Sequence, residues 1–167
     1  MAPRDRIGPA LETVLEGLKL ARRELAAGAA DAPRRRWVAV GLATALEAGL
    51  VAALSGYESA GEGDIADPSQ PDRVAALSLL LRRARSAEYL NPPEQVELSG
   101  SRQRALERVL TIRNSAVHAL SVELHDTFGR DALAVLDLIR HLVVDAPAFL
   151  PRQHRVAAAV IRDEAGA

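Results

Sequence analysis

Cysteine is missing from the 167 residues, and with it go disulfide scaffolding, thiol nucleophiles and zinc sites built on thiolates. Aromatic residues make up only 3%, so the core has to be aliphatic. Lysine is nearly absent, Lys19 standing alone among 21 basic residues, a bias that reflects the coding DNA more than function. Neither sign of charge dominates. A formal net charge of -1 excludes a generally basic coat for nucleic acid and leaves room only for a small local site. The opening "MAPRDRIGPALETVLEG" lacks the apolar stretch and cleavage site of a signal peptide, which together with the missing thiols gives a cytoplasmic expectation.

What is present is an apolar content of 49%, ample for one buried core, so the chain reads as a single domain over 1–167. Leu, Ala, Glu and Arg abound and long alternating β-branched runs do not occur, so propensity favours an all-α, up-and-down helical bundle. Residues 9–27 repeat Leu11, Val14, Leu15, Leu18 and Leu25 on one face, with Gly28 as terminator. The stretch 37–54, "WVAVGLATALEAGLVAAL", is apolar nearly all round. Glu47 near its centre, Thr44 and two glycines argue against a membrane span, so it reads as the central helix of the bundle. Asp31 and Pro33 mark its start and Gly56 its stop.

Residues 55–71 mix Gly, Pro, Ser and acids without periodicity and read as a long mobile loop, a candidate functional flap. A helix is expected from Asp72 to about Leu90, stopped by "NPP" at 91–93, with Arg82, Arg83 and Arg85 on its outer face. Further helices are expected over about 101–125, 131–146 and 152–164. No Glu-x-x-His pair precedes any of the four histidines, so a carboxylate metal site of the bundle type is not expected. "GEGD" at 61–64 has neither the third glycine nor the context of a dinucleotide fingerprint. No cofactor is implied.

The stretch "LTIRNSAVHALSVEL", 110–124, is unusual in placing Arg113, Asn114 and His118 close together in apolar surroundings. At 100° per residue Leu106, Val109, Leu110, Val117, Leu120 and Leu124 share one stripe, and Arg113 falls in its middle. A buried guanidinium requires a partner, and Glu47, the single charge of the central stretch 37–54, is the expected one. Gln103, Glu107, Thr111, Asn114, His118, Ser121 and His125 share the wetter face, with Asn114 and His118 one turn apart. Arg113 and His118, five residues apart, are about 140° around a regular helix. Joint action therefore requires a kink or a second chain.

An aliphatic helix carrying Glu47, followed by Arg113, Asn114, four residues between Arg113 and His118, and a "VL" lead-in, resembles the HEPN superfamily of small all-α proteins. The resemblance covers about 35–145, with N-terminal and C-terminal helices outside it. It implies a metal-independent endoribonuclease, of a toxin or defence type, acting as a homodimer with both motifs in one cleft. His118 would move the proton, Arg113 would stabilise charge on the phosphate, and Asn114 would orient His118 or the phosphate. Arg82, Arg83, Arg85, Ser121 and His125 are candidate RNA contacts. Where toxin members of the family carry a tyrosine two residues after the histidine, this chain has Leu120. The other readings are a non-catalytic HEPN-like interaction module, with an antitoxin or another protein as partner, and a small-ligand binder using residues 55–71. Trp37 reads as a core anchor.

Overall fold

The computed structural model describes residues 1–28, 31–121 and 123–149. The helix expected over 152–164 lies outside them. A short 3-10 turn, Pro3–Arg6, leads into α1 (Ile7–Gly28), which is followed by α2 (Ala32–Gly56). A second 3-10 turn, Glu62–Ile65, precedes a small antiparallel hairpin, β1 (Ala66–Asp67) and β2 (Gln70–Val74). Then come α3 (Leu77–Ala84), α4 (Gly100–Val117), α5 (Phe128–Arg140) and a π-helical turn, His141–Asp145. The described residues are all-α apart from the two-stranded hairpin.

The central place of α2 follows from its sequence. Leu42, Leu46, Leu50 and Leu54 are buried, and so are Ala39, Ala45, Ala52 and Ala53 around them. The segment Pro33–Gly56 is long and apolar enough to cross a membrane; an 18-residue window within it has mean hydropathy 1.8, and 78% of that window is buried inside the fold. Small residues bring α1 and α2 together. A Cβ on Gly17 would stand 2.6 Å from the Gly41 carbonyl oxygen, and one on Gly41 would stand 2.5 Å from the Gly17 oxygen. Ala21 and Ala45, each four residues further on, complete this contact, so the two backbones touch and side-chain ridges are dispensed with.

Two expected elements are corrected. Residues 55–71 are not an aperiodic loop. Tyr57 Oη donates to Asp64 Oδ2, the Gly61 N–H donates to the same oxygen at 2.7 Å, and the chain continues into the 3-10 turn and hairpin. Burial foremost, then the Asp64 carboxylate, push the Tyr57 phenol well above its ordinary pKa. The helix expected over 72–90 is only Leu77–Ala84. Residues up to Val74 pair in the hairpin instead. At the other end the Ala84 carbonyl accepts from the Val96 N–H at 2.9 Å and the Arg85 carbonyl from the Gln95 side chain. The orphan carbonyls of a helix end are thus satisfied by the returning chain.

Between α4 and α5 the tie is ionic. Arg108 meets Asp131, which is 3% exposed, through Nε at 2.7 Å and a terminal nitrogen at 2.5 Å. Thr127 Oγ1 adds a bond to the same carboxylate at 3.0 Å. The Arg108 bonds, with Thr127, hold the Asp131 carboxyl below the usual range although burial acts the other way, and the Arg108 guanidinium is raised in turn. Trp37, expected in the core, is 47% exposed. It lies in the early turns of α2, just before the buried Val38.

Candidate functional site

α4 starts where its sequence says it should, the Ser99 hydroxyl capping the Arg102 N–H at 3.3 Å. Its end is earlier than the pattern suggests. The helix closes at Val117, His118 is the C-cap, and Ala119 takes a left-handed φ of 54°. The Leu120 N–H reaches back to the Ser115 carbonyl at 2.9 Å and the Ala119 N–H to Ala116 at 3.4 Å, which is a Schellman closure built without glycine. The helix expected over about 101–125 therefore ends at Val117.

The buried stripe also differs from the expected one. The buried residues of α4 are Ala105, Leu106, Val109, Ile112 and Ser115, while Val117 and Leu120 are 49% and 59% exposed. Arg113 lies at the flank of the true stripe, half-buried, and its guanidinium donates to Asn114 Oδ1 at 2.8 Å. The expected pairing with Glu47 is not made. Glu47 shares its face of α2 with Thr44, Ala48 and Val51, and that face opens on a groove walled by α1 and the hairpin, which no residue of α4 lines. A guanidinium at a helix flank reaches water and a neighbouring amide, so it needs no buried acid.

Arg113, Asn114 and His118 consequently lie together at the C-terminal end of α4. The His118 N–H donates to the Asn114 carbonyl at 3.0 Å, and both residues are exposed. Ser121 and His125 are exposed as well, beyond the helix in the connection to α5, where the His125 carbonyl accepts from the Phe128 N–H. The arginines of α3 are not part of this cluster as a group. Arg83 donates to the carbonyls of Asp64 and Ala66, both at 2.9 Å, and fastens the hairpin to α3. Arg82 and Arg85 are exposed.

Chemically, one Arg113 bond goes to Asn114, which leaves further guanidinium donors for an oxyanion. His118 supplies an exposed imidazole, a group that can both donate and accept a proton. Among the described residues no group of three His, Asp or Glu side chains could hold a metal ion. Arg36 spans from α2 to the Leu120 carbonyl at 3.4 Å and ties the α4 end to the start of α2. The sequence reading missed Arg36, Arg108 and Asp131. Asp131 in the first turn of α5 carried a faint signal, since it stands four residues after Thr127.

The chain gives no match to models of known protein families, to curated proteins or to solved structures.

Proposed function

We propose that the protein is a HEPN-like ribonuclease whose working site is assembled from two copies of the α4 C-terminus. The observation that carries this reading is the junction at the end of α4, where the Asn114-held guanidinium of Arg113 and the exposed His118 occupy one helix terminus. Cleavage through an RNA 2′-hydroxyl requires a proton carrier and a cation for the phosphate. His118 takes the first role and Arg113 the second, with Asn114 orienting the guanidinium. The exposed Val117 and Leu120 beside them offer apolar surface for the second copy. Arg82, Arg85, Ser121 and His125 remain accessible for RNA; Arg83 serves the hairpin.

The test is RNA cleavage in EDTA by the wild type, His118→Ala and Arg113→Ala, alongside solution mass. Loss of the proton carrier is expected to slow cleavage by roughly 100-fold or more. Intact RNA with the wild type, equal cutting by His118→Ala, or a strict monomer defeats the enzyme reading. The same exposed Val117 and Leu120 favour a second reading, a non-catalytic HEPN-like interaction module whose partner covers that end of α4.

A further inference from the structure

Glu47 is the one charge in the twenty residues from Trp37 to Gly56, and the fold gives it no ion pair among the described residues. It is half-buried. A carboxylate partly withdrawn from water weakens the helix that carries it unless something else uses it. Its surroundings indicate what that is. Glu47 lies in a groove of about 640 Å³ between α1, α2 and the hairpin, within the ordinary range for a small-molecule site.

Two kinds of surface meet there. Ala10, Ala48, Val51 and Ile65 supply an apolar lining, and Thr13 and Thr44 join Glu47 in presenting oxygens. The Thr13 hydroxyl spends its proton on the Pro9 carbonyl at 2.9 Å, so toward the groove it can only accept. Thr44 stands one turn before Glu47 and is exposed. Of the two groove arginines, Arg6 donates to the Glu62 carbonyl at 3.2 Å, and Arg73 belongs to the fully exposed strand β2 at the rim. Neither pairs with Glu47.

We propose that this groove binds a small primary alkylamine, its ammonium against Glu47 and its hydrocarbon chain along Ala48, Val51 and Ile65. A primary ammonium has three N–H donors, and Thr13, Thr44 and Glu47 offer three acceptor groups, two hydroxyls and one carboxylate. An alcohol leaves the carboxylate without a counter-charge, and a carboxylate ligand meets like charge. This site is separate from the α4 terminus and does not depend on the ribonuclease reading.

Calorimetric titration of the full chain at neutral pH with n-hexylamine, hexanol and hexanoate tests the proposal. Hexylamine is expected to bind and the other two to bind at least about tenfold more weakly, the size of a charge-assisted hydrogen bond. Glu47→Gln, which keeps the shape, is expected to remove that preference. Thr44→Val, at an exposed position safe for folding, is expected to weaken hexylamine alone. Absence of hexylamine binding, equal affinity for hexanol, or an unchanged preference in a folded Glu47→Gln or Thr44→Val protein overturns it.

Discussion

Arg108 and Asp131 face each other across the α4–α5 contact with two parallel hydrogen bonds, at 2.7 and 2.5 Å, in a fork that only a guanidinium can make to a carboxylate. Asp131 is buried while the Arg108 side chain retains 38% exposure, so the pair sits at the edge of the core. Removing one partner of a fully buried pair costs about 3–5 kcal/mol. Here Asp131→Ala is expected to lower unfolding stability by about 2 kcal/mol, the water around Arg108 moderating the loss. Urea denaturation measures it, and a loss indistinguishable from zero would show that the fork is ornamental.

The same pair makes stability depend on pH. Because the Asp131 carboxyl is held low by Arg108, its contribution is present above the ordinary carboxylate range, near pH 4. It is lost as pH falls through the depressed folded value. Wild type is expected to lose more stability between pH 6 and pH 3 than Asp131→Asn, in which that proton uptake is absent. Parallel acid profiles would contradict the assignment. Arg108 stays charged throughout and adds no slope of its own.

Gly41→Ala is expected to destabilise by about 2 kcal/mol even though alanine is the better helix former by about 1 kcal/mol. Its Cβ would stand 2.5 Å from the Gly17 oxygen and 2.8 Å from the Ala21 nitrogen, both backbone atoms that cannot swing aside. Gly8→Ala, with nothing within 4 Å of the new Cβ, is the control and is expected to be neutral or stabilising. Equal melting shifts for the two variants would mean the helices do not touch at Gly41.

Ala119→Gly has the opposite sign. A non-glycine residue in the left-handed region is strained by roughly 1–2 kcal/mol, and glycine relieves this at some entropic loss in the unfolded chain. The variant is expected to gain about 0.5–1 kcal/mol. Were α4 to continue through residue 125, as the apolar pattern suggests, the same glycine would cost stability. Thermal unfolding therefore reports directly where the helix ends and whether His118 caps it.

Tyr57→Phe removes the donor that binds Asp64 and is expected to cost about 1 kcal/mol. The Tyr57 phenol is raised by burial and by Asp64, so its stabilisation is complete below the ordinary phenol value near pH 10 and declines above it. Alkaline unfolding in which wild type and Tyr57→Phe keep a constant difference would overturn this.

Much of the scaffold was readable from composition and period alone. Aliphatic abundance with a 3.6-residue repeat dictates α1 and the central α2, and Gly28, Asp31 and Pro33 mark the corner between them, because these signals are local and each residue carries its own conformational preference. The aperiodic 55–71 stretch hid a turn and a strand, since a short hairpin is held by its pairing and by Arg83 rather than by propensity. Local preference also could not end α4, as nothing in "NSAVHAL" breaks a helix. The stop depends on Ala119 accepting a left-handed φ and on Arg36 holding the Leu120 carbonyl. The buried face itself runs through Ala105, Val109 and Ile112, which leaves Arg113 at its flank. With Glu47 meanwhile facing the α1 groove, the pairing that a helix wheel made attractive is not made. Sequence determined which residues bear charge and which faces are apolar; only the tertiary structure decided who meets whom, because a partner is a matter of distance in space, and spacing along a chain constrains that distance only within one element.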